Sequence, residues 1–495
     1  MPTKPLTICA VTSEIAPFSK TGGLGDVTRS LSLALNELGH TMYVFSPLYK
    51  TINKEKLERV IENEAVAVDD TYTATYSVWK GYENSLPVFL IEQEDLSKPE
   101  SFYGSGYDGK RFLLFDICTT DAMVKLDLHP DIVQCHDWQS GLVPRYIHKK
   151  YNDHENFAKT AIIFTLHNLT YQSGNNWWEI PDSKKDNGRG PLPTFRSPAK
   201  LECINFAKRA IRHSDMINTV SEQYAEEIMT EKFGQTLHHM LNKRKDKVVG
   251  IVNGIDYTHL NPATDPGLIE NYDYDALHKK TKNKIWLQEQ LGLSVNPKIP
   301  LMSWTSRLAE QKGIELLIEI IEPLLRQEAQ VVILGKGDKQ YEEYFSKLGK
   351  KYPKKLCAYS PYIKTETSSF QYDNKQETRV LAASDIFIMP SRFEPCGLGQ
   401  LKSLRYGAIP VVHKVGGLAD TIQNFNTRRG TGNGFVFSTY DSRDMLVALT
   451  RAIENHKHRN TWLHLVRHAM QQSFSWEIPA QKYTKLFQKA LRLKQ

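Results

Sequence analysis

Short apolar runs that stop at a polar or glycine-rich turn and then give way to a helical period recur along this whole chain. Residues 6–11 form the first strand-length run. After it comes the turn Lys20-Thr21-Gly22-Gly23-Leu24-Gly25-Asp26. Leu24, Val27, Leu31, Ala34, Leu35 and Leu38 then recur at helical spacing, and Gly39 is placed to end the helix. The next strand, 42–46, stops at Pro47. Residues 132–135 and 161–166 repeat the pattern, each running into a turn that contains histidine. A second series begins near residue 248: 248–252 leads into Asn253-Gly254-Ile255-Asp256. Residues 300–305 lead into a basic turn and a helix over about 313–326. Residues 331–334 and 386–389 each end at a turn rich in glycine or proline. Strands that alternate with helices predict an α/β chain with parallel sheets covered on both faces. Two such series predict two doubly wound Rossmann-like domains facing a central cleft, since ligands bind at the carboxyl ends of the strands. The expected boundaries are 1–247, 248–474 and a C-terminal helical segment, 475–495. Residues 174–198, rich in Gly, Pro, Asn and Asp, read as a long surface loop beside that cleft.

At 495 residues the chain exceeds one ordinary core, which agrees with two domains. A mean hydropathy of −0.45, with no run of 18 apolar residues, argues against a membrane span. The first apolar run is too short for a signal peptide. Cys9, Cys118, Cys135, Cys203, Cys357 and Cys396 are scattered without metal or redox spacing, which points to a reducing compartment and predicts a cytoplasmic protein. A net charge of +7 suits a protein that handles a diphosphate and falls short of a nucleic-acid footprint. The densest basic run, Lys243-Arg244-Lys245, reads as a solvated face.

Three turns could hold an anion. Three glycines between strand and helix at Lys20–Asp26 let the backbone approach a phosphate, with a lysine beside it, although the same turn serves packing geometry equally well. Arg307 and Lys312 lie five residues apart on one strand-to-helix turn and could converge on a departing diphosphate; alone, such a pair is more often a solvated loop. The turn Glu394-Pro395-Cys396-Gly397-Leu398-Gly399-Gln400 offers a carboxylate for sugar hydroxyls and then N–H groups for a phosphate, or simply a helix-terminus contact. His136-Asp137-Trp138-Gln139 and Thr165-Leu166-His167-Asn168 bring polar groups to strand ends. No spacing fits a zinc or calcium site, so no metal and no cofactor are expected.

In this order the turns resemble the bacterial glycogen and plant starch synthases, a retaining glycosyltransferase family with the GT-B fold. The resemblance is carried by KTGGLGD at Lys20, HDW at His136, LHNLTYQ at Leu166, NTVS at Asn218, GIVNGIDY at Gly250, SRLAEQKG at Ser306, PSRFEPCGLGQ at Pro390, RYG at Arg405 and GGLADT at Gly416, with SFSWEIPAQKY near the C-terminus. It implies glucosyl transfer from ADP-glucose to an α-1,4-glucan such as glycogen, with retention and without a metal. UDP-glucose is the alternative donor, and a small sugar the alternative acceptor. By resemblance Lys20, Gly22, Gly23, Arg307 and Lys312 hold the donor diphosphate, and Asp26, Asn253 and Tyr372 contact the nucleoside. Glu394 binds the glucose, with Gly397, Leu398 and Gln400 following it on the donor turn. His167 and Asn168 frame the sugar, and Asp137 has a polar role near it. The C-terminal segment from Phe474 is expected to cross back to the first domain as part of a hinge. Gly399 stands where the family usually has threonine and Lys402 where an aromatic residue is common; Asn374 and Thr378 also depart from the usual polar residues. A sucrose-forming or cell-envelope transferase, a non-catalytic glycan-binding protein and a pyridoxal-phosphate phosphorylase are the competing readings.

Overall fold

The computed structural model describes residues 4–359, 362–364, 370–372 and 374–494, without the side chains of 362–364, 370–372 and 374. The chain divides into two compact units, residues 1–253 with 476–495, and residues 254–475.

The first unit is built on a nine-stranded sheet. Its strands are β1 (Thr7–Val11), β2 (Thr41–Pro47), β3 (Glu58–Asp69), β4 (Tyr72–Glu83), β5 (Leu86–Glu92), β6 (Ile132–His136), β7 (Ala161–Leu166), β8 (Met216–Thr219) and β9 (Val248–Gly250), in the order β3-β4-β5-β2-β1-β6-β7-β8-β9. From β5 to β9 every pairing is parallel. β6 and β7 are buried along their whole length, as expected of strands covered on both faces. The helix Gly23–Glu37 follows β1 and buries Val27, Leu31, Ala34 and Leu35.

Three expectations are corrected here. The strand-helix alternation does not run throughout: β3, β4 and β5 form an antiparallel meander across residues 58–92. The run at 248 does not open the second unit. β9 pairs with β8 through Ile217, Asn218 and Thr219 and closes the first sheet, so the division falls after Asn253. The segment 174–198 is also more than a surface loop, because Trp177, Ile180 and Phe195 are buried. Phe195 stacks on Tyr72 at 3.9 Å, and Asp186 accepts two bonds from Arg209 at 2.7 and 2.8 Å. The helix Glu477–Lys494 belongs to this first unit. Tyr483 donates to Asn218 Oδ1 at 2.9 Å, and Thr484 Oγ1 lies 3.0 Å from His40 Nε2.

The second unit carries a parallel sheet of β10 (Leu301–Thr305), β11 (Gln330–Leu334), β12 (Leu356–Tyr359), β15 (Ile386–Met389), β16 (Ile409–His413) and β17 (Phe435–Phe437), in the order β12-β11-β10-β15-β16-β17. A small antiparallel pair, β13 (Tyr362–Lys364) and β14 (Phe370–Tyr372), stands apart from it. The helix Ile314–Arg326 buries its leucine and isoleucine stripe and packs beside the helix Ser442–Lys457. Its start depends on Gly313, at φ 77°, where a Cβ would lie 2.2 Å from the Pro390 carbonyl oxygen. Only a glycine permits that approach, and it draws the turn after β10 onto the turn after β15. Arg392 N–H donates to Gln311 O at 3.0 Å across the same seam.

Candidate active site

In the second unit that seam places Lys312 and Glu394 together. Lys312 Nζ lies 2.7 Å from Glu394 Oε2, and Ser391 Oγ donates to the same oxygen at 2.9 Å. Both charged side chains are largely withdrawn from solvent, at 16% and 8% exposure. The ammonium has three donors and spends one on Glu394, which leaves two for a ligand. Glu394 and Lys312 line a cavity of about 100 Å³ with Trp304, Glu377, Ser391 and Leu398. Arg307, on the same turn, is exposed and donates to Gln311 Oε1 at 3.2 Å.

The turn that follows Glu394 is braced from inside. Gly397 adopts φ 74°, and a Cβ there would meet the Gln400 amide at 2.5 Å. Gln400 was expected to serve the donor, but its side chain is buried and its Nε2 donates to the carbonyls of Cys396 and Gly397 at 3.0 and 3.1 Å. It therefore holds the shape of the turn. Leu398 lines the cavity directly. The family departures also have local reasons. Lys402 pairs with Glu377 at 2.9 Å, so the second carboxylate of this cavity is neutralised. At Gly399 a Cβ would press on the Phe387 ring at 3.1 Å, so a larger residue requires that ring to yield. The side chains of Tyr372 and Asn374 lie outside the described residues.

In the first unit the glycine turn is already engaged by a carboxylate that the sequence reading passed over. Glu14, buried just beyond β1, accepts from Thr21 N–H at 2.6 Å, Thr21 Oγ1 at 2.6 Å and Gly22 N–H at 3.3 Å. Tyr103 OH donates to it as well, at 2.6 Å. The N–H groups of Thr21 and Gly22 are thus tied down by the protein itself. Gly22 and Gly23 still leave the turn open on its outer side, where both are exposed. Lys20 and Asp26, expected to serve diphosphate and nucleoside separately, pair with each other at 2.8 Å.

At the ends of β6 and β7 the two histidine turns form one assembly. His136 Nδ1 lies 2.9 Å from His167 Nε2, so one ring donates and the other accepts. Burial pushes the His167 imidazole down to about 3, and His136 is lowered by burial and by its neighbour. Both rings are therefore neutral near pH 7. Asp137 connects the turns: its Oδ1 accepts from His167 N–H at 2.7 Å and Asn168 N–H at 3.3 Å. Its backbone holds φ 57° and ψ −178°, a region suited to glycine that costs a side-chain-bearing residue on the order of 1–3 kcal/mol. Such strain persists where surrounding bonds over-determine it, as here. Asp137 is thus placed to orient His167 and Asn168. Asn253, at the end of this unit, is buried, and its Oδ1 has no hydrogen-bond partner among the described residues.

Burial pushes the Asp137 carboxyl up to about 7, against the pull of the two N–H donors. The anion, which accepts those N–H groups best, is present above that value. Activity is expected to rise with pH through about 7, and Asp137→Asn, a fixed neutral acceptor, to abolish that limb. A pH profile of kcat for both proteins checks this; an unchanged limb in the variant removes Asp137 from the argument.

His136, Glu14, Ser391 and Glu377 are the site residues that sequence reasoning did not select. His136 heads a motif that was noted. Ser391 lies in the quoted motif at Pro390, while Glu14 and Glu377 carry no local signal and are found only through what they touch.

The starch synthase catalytic domain family matches residues 7–243, and glycosyl transferases group 1 match residues 288–464. A glycogen synthase from Pseudothermotoga lettingae is 38% identical over 99% of this chain and 100% of its own length. This chain belongs to the glycogen synthase family. The glycogen synthase of Clostridium perfringens, 37% identical over 99% of both chains, agrees. Among solved structures, the catalytic domain of starch synthase IV from Arabidopsis thaliana, bound to ADP and acarbose, is similar at a TM-score of 0.85. It is 31% identical, over 99% of this chain and 100% of that one. Sucrose-phosphate synthase from Thermosynechococcus elongatus shares the fold alone, at 15% identity and a TM-score of 0.62. Membership in the glycogen synthase family makes the chain a glucosyltransferase with the GT-B fold. Among the described residues no helix is long and apolar enough to cross a membrane.

Proposed function

We propose that this protein transfers α-glucose from ADP-glucose to the non-reducing end of an α-1,4-glucan with retention of configuration and without a metal. The Lys312–Glu394 pair in the strand-end cavity carries this reading. As the glycosidic bond breaks, the diphosphate gathers negative charge. Lys312, with its two spare donors, and the exposed Arg307 meet that charge, as preorganised cations do most effectively where water is thin. Glu394, fixed by Lys312 and Ser391, accepts from the glucose hydroxyls. Retention by double displacement would need a free carboxylate nucleophile close to the anomeric carbon. Glu377 lines the cavity but is held by Lys402. That arrangement favours departure and attack on one face of the sugar, with an ion pair between.

His167 and Asn168 frame the transferred glucose, with Asp137 orienting them. Asn253 offers its unpartnered oxygen to a donor on the nucleoside, and Lys20, Gly22, Gly23 and Asp26 serve the donor from the glycine turn. The ADP and acarbose held by the Arabidopsis relative support a nucleotide donor and a glucan acceptor.

Glycogen incubated with ADP-glucose or UDP-glucose in parallel tests the donor. ADP-glucose is expected to turn over at least tenfold faster, a difference of about 1.4 kcal/mol in the transition state. Equal rates, or a faster reaction with UDP-glucose, reverse the nucleotide assignment. Treatment with EDTA is expected to leave kcat unchanged, and a loss restored by added divalent cation overturns the metal-free reading. Transfer to a small sugar with none to glycogen defeats the acceptor assignment.

A further inference from the structure

We infer that the first unit carries a second anion site, for a small molecule bearing two or more phosphate groups, between the helix Phe206–His213 and the segment 236–247. A cavity of about 570 Å³ lies there, within the range of small-molecule sites. Arg189, Lys208 and Arg212 line one side in sequence, and Lys243, Arg244 and Lys247 the other. Asp246 is the one carboxylate among its lining residues.

These cations divide into struts and free groups. The Arg244 guanidinium donates to the carbonyls of Ile211 and Ser214 at the end of the helix. Lys208 Nζ donates to Asp186 O at 3.2 Å and lies over the Trp177 ring at 5.3 Å. Arg189, Arg212, Lys243 and Lys247 have no ion-pair partner among the described residues. The crowding is felt nearby: burial lowers the Lys208 ammonium first, Asp186 opposes this, and Arg212, Lys185 and Arg209 depress it further. Surface cations usually spread out or find carboxylates, so a concave cluster of unpaired ones has an anion as its natural complement.

The backbone at the lip adds an independent observation. Gln235 and Thr236 are consecutive non-glycine residues at φ 48° and 67°, and Thr236 lines the cavity. Two adjacent left-handed residues are costly and are held here by bonds on both sides, Gln172 Nε2 to Gln235 O at 2.8 Å and Leu237 N–H to Gly234 O at 2.7 Å. Strain of this kind gathers at ligand clamps. Leu237 and Met240 give the cavity an apolar part. A phosphorylated metabolite, with anionic ends and a carbon body, matches both lining chemistries, and cations on two sides call for more than one phosphate.

Calorimetry with inorganic pyrophosphate and with fructose 1,6-bisphosphate at low ionic strength tests the site. Two binding events are expected for pyrophosphate, one at the donor site and one here. The double variant Arg212→Ala/Lys243→Ala should weaken the second by about tenfold or more and leave glucosyl transfer unchanged. Lys312→Ala should affect only the first. The second event should also weaken steeply with added salt. A single event lost in Lys312→Ala, or no change in the double variant despite unchanged thermal unfolding, overturns the proposal. So does binding of single-stranded RNA by the same residues with none of either small phosphate.

Discussion

Replacing Lys312 by alanine is expected to lower kcat on ADP-glucose and glycogen by about 10²–10³-fold while changing the apparent donor affinity by no more than about threefold. The asymmetry follows from when the charge appears. In the proposed reaction the donor diphosphate is already anionic when bound, with other groups to hold it. In that reaction the extra charge develops only as the bond to glucose breaks, and Lys312 is the largely buried cation beside Glu394, the carboxylate proposed to bind the sugar. An interaction strengthened in the transition state shows in kcat; one equal in both states shows in KM. The variant also leaves Glu394 with Ser391 as its remaining side-chain donor, so Lys312→Arg serves as the control. It keeps the charge while changing the donor geometry and should recover part of kcat. A raised KM at full kcat reduces Lys312 to a binding residue.

Replacing Lys284 by alanine is expected to destabilise the second unit by about 3–5 kcal/mol. Lys284 Nζ lies 2.5 Å from Asp385 Oδ2 and 2.9 Å from Pro297 O, and both charged side chains are nearly sealed, at 4% and 11% exposure. Asp385 Oδ2 also accepts Leu301 N–H at 2.9 Å, which anchors the start of β10 beside β15. Burial alone would raise the Asp385 carboxyl, but Lys284 and then His456 outweigh it and hold the group well below its ordinary value. A depressed folded value gives stability that is present above the unfolded value, about 4, and lost as pH falls below it. Lys284→Ala removes the larger of the two opposing cations, so the loss should be greatest at neutral pH and shrink on acidification. Calorimetric melting should show a transition lowered by on the order of 10 °C. Lys284→Met with Asp385→Asn, which removes both charges and keeps an acceptor for Leu301 N–H, should recover most of it. A neutral-pH shift under about 1 kcal/mol in Lys284→Ala excludes the pair as a keystone.

The parallel strands were legible because burial on both faces leaves unbroken apolar runs. The meander at 58–92 was not, since β3 and β4 mix exposed and buried residues, and a prior expectation of strand-helix alternation hid their pairing. The placement of β9 was equally hidden: a short apolar run before Asn253 suits either unit, and only its ladder with β8 decides. At the site, Lys312 and Glu394 were chosen from their turns, and the structure brings them together. Their meeting depends on Gly313 against Pro390, a contact between segments 77 residues apart in number that no local spacing reports. Glu14 escaped notice for the same reason, and so did the mutual pairing of Lys20 and Asp26. Residue type marks which groups could do chemistry. Which of them instead neutralise one another is a property of packing.

The helix Glu477–Lys494 packs on the helix Gly23–Glu37 and on β7, burying Ala480, Tyr483, Phe487 and Ala490. The first unit is therefore assembled from the two ends of the chain, with the second threaded between them. On the ribosome, residues 254–475 must be made before that helix exists, an interval of roughly 10–45 s at ordinary elongation rates. Until then Asn218 and His40 lack the partners that Tyr483 and Thr484 supply in the folded unit. The half made first is finished last.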